Sequence, residues 1–137
     1  MNVRVCILVV LLLASPDALP AEPDKEAAAQ AVALAWLSLV DRGDYAASWR
    51  EAATLFRSQI SSANWVSAVT SARTPLGALG ERRLMSATYT TALPGAPDGE
   101  YVVLQFQATF SKKASAIETV TPMLDGAQWR VSGYYIH

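Results

Sequence analysis

Cysteine and histidine are scarce in this sequence of 137 residues, where each occurs once, as Cys6 and His137. Metal sites built on these side chains usually need several ligands, and the carboxylates show no clustered spacing that would replace them. No glycine-rich phosphate loop follows a strand, and no serine lies in a nucleophile-elbow context. The sequence therefore predicts neither a metal site nor a cofactor.

The chain also lacks an excess of charge of either sign, because its formal net charge at neutral pH is −1. Nucleic-acid-binding surfaces normally require a basic patch. The two basic pairs are Arg82-Arg83 in a strand region and Lys112-Lys113 at a turn, and we interpret both as ordinary solvated charges. We therefore expect no nucleic-acid partner.

The N-terminus lacks an apolar run long enough to cross a membrane, but it has the three parts of a secretory signal peptide. Arg4 is basic, residues 5–14 are apolar, and residues 15–21 combine helix-breaking and small side chains. A membrane-spanning helix needs about 20 apolar residues, so a permanent anchor is the weaker alternative. We predict cleavage near Ala21 and a periplasmic or secreted mature protein without a stable membrane span.

Removal of residues 1–21 would also remove the one cysteine. The mature domain, residues 22–137, would then have no thiol and no disulfide, although small secreted domains often depend on disulfides. A chain of this size buries about 65% of its unfolded surface. We therefore expect a single domain that is stabilised by packing alone.

Helical periodicity predicts three helices in the first half of this domain. On the first, the apolar residues share one face, namely Val32, Ala35, Trp36 and Leu39. Gly43 is placed to end this helix and Asp44 to cap the next. The apolar face of the second helix consists of Tyr45, Trp49, Ala52 and Phe56. A third helix begins near Ser61 or Ser62 and ends before Pro75, since proline cannot continue a helix.

Alternation of apolar and polar residues predicts four strands in the second half. The first strand places Met85, Ala87 and Tyr89 on one face, and residues 100–111 form the clearest strand. Helices that precede strands with short connections indicate an α+β domain. Three N-terminal helices would pack on one face of a four-stranded antiparallel sheet.

The last two strands carry two further signals. Pro122 interrupts the third strand, which indicates either an edge position or a bulge. Asp125-Gly126 is a strong hairpin signal. We therefore predict a tight turn that leads into the last strand, residues 128–136.

Two segments resemble the opening and closing elements of cone-shaped domains related to nuclear transport factor 2. They are the run from Trp36 to Trp49, which contains Asp41-Arg42-Gly43-Asp44-Tyr45, and the hairpin Asp125-Gly126-Ala127-Gln128-Trp129-Arg130-Val131. The resemblance implies that the sheet is curved. Proteins with this fold include isomerases, dehydratases, transport factors and binding modules, so the fold does not determine an activity.

Nearly the whole mature chain also resembles a bacterial exported family classed as a domain of unknown function, number four-zero-one-nine. The matching segments are Tyr45-Ala46-Ala47-Ser48-Trp49, Trp65, Arg73 to Gly77, Leu93 to Gly95, Asp98 to Tyr101, Glu118 to Thr121, and Trp129 to Ile136. The resemblance implies an exported protein, and it brings no activity with it.

Glu118 and Arg73 are the charged residues with the most distinctive settings. Glu118 lies in a strand among apolar and β-branched neighbours. There it either forms an ion pair with Arg73 or Arg130, or faces the interior as a general base. Arg73 ends the third helix, where it either caps the last carbonyl groups or binds a carboxylate or an anionic ligand. We prefer the structural role for both residues.

Aromatic residues occur throughout the domain, and most of them are expected in the core. In a cone-shaped fold some would instead line an apolar pocket and supply its few polar groups. The candidates for contact with a ligand or a partner are Trp49, Arg73, Tyr89, Tyr101, Glu118, Trp129 and Tyr134.

Three hypotheses about function follow. The leading one is a non-enzymatic envelope protein that binds a small ligand or another envelope protein. The alternative is a small isomerase or dehydratase with Glu118 as base and a tyrosine as acid, which requires an open cavity that both side chains face. In the third, the outer face of the sheet joins two copies into a homodimer through Tyr101, Val103, Gln105 and Gln107.

Overall fold

The structure is a computed structural model that describes residues 24–137. The predicted signal peptide, residues 1–21, and its cleavage site near Ala21 lie outside the described residues. In the described part, helices come first and four strands follow, so the predicted α+β class is confirmed. No helix of this part has both the length and the apolar character needed to cross a membrane.

The helices are α1 (Lys25–Asp41), α2 (Tyr45–Glu51), α3 (Thr54–Gln59) and α4 (Ser62–Arg73), and a 3₁₀ turn (Thr74–Leu76) follows α4. At two of the starts, the side chain of the residue directly before the helix accepts backbone N–H groups. Asp24 accepts two backbone N–H groups of the first turn of α1, and Ser61 accepts the N–H of Asn64 in α4. Gly43, at φ 75°, lies directly beyond α1, as predicted.

The strands are β1 (Leu79–Thr90), β2 (Tyr101–Phe110), β3 (Lys113–Asp125) and β4 (Gln128–Ile136). They form one antiparallel sheet in the order β1-β2-β3-β4. The predicted hairpin at Asp125-Gly126 is confirmed, with Gly126 at φ 63°. Pro122 lies at a register shift between β3 and β4, so the bulge is confirmed and the edge position is excluded.

The predicted second helix is wrong in one respect, because it divides into α2 and α3 at Ala52 and Ala53. Both alanines are extended and fully buried, and the N–H of Ala53 donates to the carbonyl oxygen of Val131, 2.8 Å away. Asp125 then caps α3 from the sheet, since its Oδ2 accepts the N–H of Thr54 at 2.8 Å. A backbone hydrogen bond to β4 thus replaces a hydrogen bond within the helix. Helical periodicity in the sequence does not reveal this replacement.

The prediction that Met85, Ala87 and Tyr89 share one face of the first strand is also wrong at Met85. A register shift between Leu84 and Ser86 inserts an extra residue there, and the Met85 side chain is 53% exposed. Leu84 takes the inward position and packs against the core beside Ala87 and Tyr89.

The core lies between the helices and one face of the sheet. Its α1 residues are Ala29, Ala33, Trp36, Leu37 and Val40, and its main sheet residues are Val102, Leu104, Phe106, Val120 and Val131. Of the four α1 residues predicted to face inward, only Trp36 is buried. The reason is that α1 carries no charged residue between Glu26 and Asp41, so the pattern does not distinguish the core side from the opposite side.

Candidate functional site

Two groups of side chains on the helix-covered face of the sheet are candidates for function. The first, the charge network, consists of Asp41, Arg73, Arg82, Glu118 and Tyr134. The second, the α1 groove, lies between α1, α2 and β4. Its lining consists of Val32, Ala35, Trp36, Leu39, Ala47, Glu51, Gln128, Trp129 and Arg130.

Glu118 on β3 is the centre of the charge network and is fully buried. Its Oε1 accepts the Nε–H of Arg82 on β1 at 2.7 Å, and its Oε2 accepts a second N–H of Arg82 at 3.2 Å. The hydroxyl of Tyr134 on β4 donates to the same Oε2 at 2.5 Å. Three strands therefore meet at one carboxylate, and both of its oxygens have partners.

Asp41, the last residue of α1, joins this group to the helices. Its two oxygens accept two N–H groups of Arg82, at 2.8 and 2.9 Å, and Oδ1 also accepts an N–H of Arg73 at 2.9 Å. The Arg73 guanidinium lies 4.9 Å from the centre of the Phe110 ring. The Nε and one Nη of Arg73 are buried without a hydrogen-bond partner in the described chain.

The network also determines which of its groups carry charge. Burial disfavours the ionised form of Asp41, but hydrogen bonds from Arg82 and Arg73 outweigh it, so the pKa of this carboxyl lies below its usual value. Burial and the adjacent Glu118 raise the pKa of Tyr134 far above its ordinary range. The phenol therefore remains protonated and donates its hydrogen bond to Glu118.

The network contains two acids and two bases. Their exposure and their ion-pair partners correct two predictions. Arg82 is not a solvated charge, since its side chain is 9% exposed, whereas the neighbouring Arg83 is exposed as predicted. The direct ion-pair partner of Glu118 is Arg82, and neither Arg73 nor Arg130 takes that place. Arg73 forms an ion pair, with Asp41.

The α1 groove is an open depression of about 450 Å³. Val32, Ala35 and Leu39 line one wall, which is the side of α1 that was predicted to face the core. Trp36 lies at the groove with its indole N–H donated to the carbonyl oxygen of Ser48 at 2.8 Å. Trp129 on β4 also lines the groove, so one sequence-predicted site residue lies there.

Two lining residues of the α1 groove carry charge, and their surroundings differ. Arg130 lies 4.0 Å from a carboxylate oxygen of Asp125, and it donates an N–H to Gln128 Oε1 at 2.9 Å. Glu51, at the end of α2, has no ion pair or side-chain hydrogen bond within residues 24–137.

The other sequence-predicted residues lie apart from both groups. The indole N–H of Trp49 donates to the carbonyl oxygen of Ile60 at 2.9 Å, which ties α2 to the start of α4. The hydroxyl of Tyr89 donates to Glu100 at 2.8 Å, and Glu100 also pairs with Lys25 at 2.6 Å. These contacts fasten helices to each other or to the sheet.

Tyr101 is not available on the outer face of the sheet, although it was predicted there. Its side chain is 1% exposed, and its hydroxyl donates to the carbonyl oxygen of Pro97 at 2.6 Å. The connection between β1 and β2 thus covers Tyr101. Val103, Gln105 and Gln107 keep partial exposure on that face, and the homodimer hypothesis stays a prediction.

Sequence reasoning missed Asp41 and Arg82 as members of the network. A signal for Arg82 existed, because it precedes Leu84 by two residues and therefore shares the inward face of β1. Asp41 offered no comparable signal, since an acid at the end of a helix and next to a glycine is typical of a solvated turn. Within residues 24–137, no group of three or more acidic or histidine side chains is placed to hold a metal ion.

Comparison with known proteins gives one match. The family model described as "Protein of unknown function (DUF4019)" matches residues 32–134, a segment that contains all of the charge network and all of the α1 groove. No curated protein and no solved structure matches, so the resemblance to cone-shaped domains stays a prediction. Because the match covers most of the chain, this protein belongs to the DUF4019 family.

Proposed function

We propose that this protein is an exported, non-enzymatic binding module that holds a small apolar ligand in the α1 groove. The observation that carries the proposal is the exposed side of α1, which has no charged residue between Glu26 and Asp41. A surface helix normally carries charged residues on its solvent side. Here that side has Leu34, 41% exposed, and it continues into the wall of the groove.

The size and lining of the groove also support a small ligand. Small-molecule sites have volumes of about 300–1,000 Å³ and are mostly apolar with a few polar groups. The α1 groove is about 450 Å³, has two indole rings in its lining, and has its polar groups on three residues, Glu51, Gln128 and Arg130. An apolar ligand would therefore find both contact area and a few points of orientation.

The geometry of Glu118 favours binding over catalysis. A general base needs an oxygen within hydrogen-bond reach of the substrate proton. Both oxygens of Glu118 are held by Arg82 and Tyr134. None of four surface depressions in residues 24–137 has Glu118 in its lining. Tyr134 lines one of them, between α4 and β4.

The location belongs to the proposal as well. The N-terminal pattern of a basic residue, a short apolar run and small residues supports export to the periplasm or the medium. The cone-type architecture is retained as an interpretation, because helices cover one face of an antiparallel sheet. The family itself supplies no activity.

A matched pair of α1 variants tests the proposal. Ala35→Phe fills the groove, whereas Ala31→Phe places the same side chain one turn away on the exposed side of α1, outside the groove. We expect the neutral fluorophore N-phenylnaphthylamine to bind the mature protein, about tenfold more weakly after Ala35→Phe, and unchanged after Ala31→Phe. Equal binding by both variants, or none by the unmodified protein, would refute the groove as the binding site.

Native mass spectrometry of the protein purified from its own compartment provides a second test. A co-purifying small molecule that is lost in Ala35→Phe and retained in Ala31→Phe would identify the ligand. A co-purifying protein whose binding is unchanged by either substitution would instead favour a partner-binding surface elsewhere.

A further inference from the structure

Glu51 is a lining residue of the α1 groove whose charge has no counterpart. It is the last residue of α2, it is exposed, and no base of the described chain pairs with it. A carboxylate at the C-terminal end of a helix is also repelled by the helix's own unpaired carbonyl groups. Glu51 is therefore unfavourable for its own helix and gains nothing from a neighbour.

Arg130, the other charged lining residue, differs because Asp125 partly offsets its charge. Asp125 lies 4.0 Å from its Nε, and Gln128 accepts one of its N–H groups at 2.9 Å. Arg50 is next to Glu51 in the sequence but does not line the groove. The groove therefore presents one uncompensated negative charge beside its apolar wall.

The aromatic lining favours the same kind of ligand. The face of an indole ring attracts cations, and quaternary or protonated amines often bind against tryptophan. Trp129 is the lining indole that a cation can contact, because Trp36 is only 3% exposed. Trp36 offers no N–H to an anionic ligand, because its indole nitrogen donates to Ser48. Gln128 is engaged by Arg130 through its carbonyl oxygen.

We infer that the ligand of the α1 groove is an organic cation, an ammonium group on an apolar body, whose charge is bound by Glu51. The inference rests on the proposed function, since it assigns the ligand class of the same groove. The apolar body would contact the α1 wall and Trp129, and the ammonium group would lie at the end of α2. The charge preference then depends on one side chain, and the groove's affinity for apolar groups does not.

Three probes with the same body test this preference: phenylpropylammonium, phenylpropanol and phenylpropionate, measured by isothermal titration calorimetry with the mature protein at neutral pH. We expect the cation to bind about fivefold more tightly than the alcohol, and the carboxylate to bind most weakly. Glu51→Gln should abolish the difference between cation and alcohol without weakening the alcohol. Glu81→Gln, which removes an exposed carboxylate on β1 outside the groove, should leave the preference intact.

The outcomes separate the two proposals. If the alcohol binds and the cation binds no better, or if Glu51→Gln keeps the preference, the cation inference is wrong and the groove remains a binding site. If none of the three probes binds, the proposed function fails and the inference fails with it. Added salt should weaken binding of the cation and leave binding of the alcohol unchanged. Binding of the cation that does not weaken with salt would also contradict the role of Glu51.

Discussion

The charge network and the α1 groove lie on the same side of the sheet, but charged groups have different surroundings in the two. In the network, the acids Asp41 and Glu118 are paired with arginines; Glu118 is fully buried, and the Asp41 side chain is 19% exposed. In the groove, Glu51 is exposed and lacks a partner in the described chain. A paired, buried charge is typical of a structural role, and an unpaired charge beside an apolar wall is typical of a binding surface.

The difference also shows how a residue type can mislead. The sequence context of Glu118 allows either a general base or an ion pair, and its surroundings are those of a fixed ion pair. Glu51 looks like an ordinary surface residue in the sequence, and it lies in the lining of the α1 groove. Substitutions in the network should therefore change stability with little effect on ligand binding, and substitutions in the groove should do the reverse.

The largest effect is expected at Arg82. Arg82→Met keeps most of the apolar stem and leaves Glu118 buried with only Tyr134, which should lower the free energy of unfolding by about 3–5 kcal/mol. Arg83→Met is the control, because Arg83 is exposed and should change stability by less than about 0.5 kcal/mol. Urea denaturation followed by tryptophan fluorescence measures both variants. Similar urea unfolding midpoints for Arg82→Met and Arg83→Met would mean that the charge network does not stabilise the fold.

Asp41 should give a smaller effect that depends on pH. Asp41→Asn weakens the contacts to Arg82 and Arg73 and should cost about 2 kcal/mol at neutral pH. Because the folded-state pKa of Asp41 lies below its ordinary value of 3.8, this stabilisation is present above that value and lost as the pH falls through the folded pKa. The difference in free energy of unfolding between the unmodified protein and Asp41→Asn should therefore be constant around neutral pH and shrink below about pH 4. A difference that persists in acid would contradict this assignment.

Tyr134→Phe should have an intermediate effect. It removes one donor from Glu118 and leaves both contacts to Arg82, so we expect a loss of about 1.5 kcal/mol. Binding of N-phenylnaphthylamine should not change, since Tyr134 lies outside the α1 groove. Loss of binding with intact stability would instead place Tyr134 at a ligand site and revive the enzyme hypothesis.

The smallest effect is expected at Glu51 and has the opposite sign. Glu51→Gln removes an acid from the C-terminal end of α2 and should raise the free energy of unfolding by a few tenths of a kcal/mol. Glu26→Gln is the matched control, because Glu26 lies in the first turn of α1, where an acid is favourable, and should lower it by a similar amount. Thermal unfolding measured at low salt compares them. A loss of stability on Glu51→Gln would reveal a structural partner for this carboxylate.

Much of the fold could be predicted from local patterns. The alternation in residues 100–111 and the Asp125-Gly126 hairpin depend on residues close in sequence, and both are confirmed. At Pro122 the sequence allowed an edge position or a bulge, and strand pairing decides for the bulge. The break between α2 and α3 was missed because the bond that makes it, from Ala53 to Val131, joins residues far apart in the chain. The same limit applies to the cap that Asp125 provides for α3.

The candidate sites were predicted less well, for a related reason. Glu118, Arg73 and Tyr134 were identified as candidates, but which side chains meet depends on strand register and on the position of the end of α1. Trp129 was identified as a candidate for contact with a ligand or partner and lines the groove, whereas Val32, Ala35 and Leu39 were assigned to the core. An apolar helix pattern marks residues that avoid water, and it does not indicate whether the protein's own core or a ligand will cover them.

The sequence by itself determined the α+β class, the family, and an N-terminal pattern typical of export. These depend on periodicity, short motifs and composition, which are properties of residues near one another in the chain. The tertiary structure alone decided that Arg82 is a buried partner of Glu118, and that one apolar side of α1 forms the wall of a groove. Both follow from the packing of α1 and four strands, because the environment of a side chain is set by distant residues that fold around it.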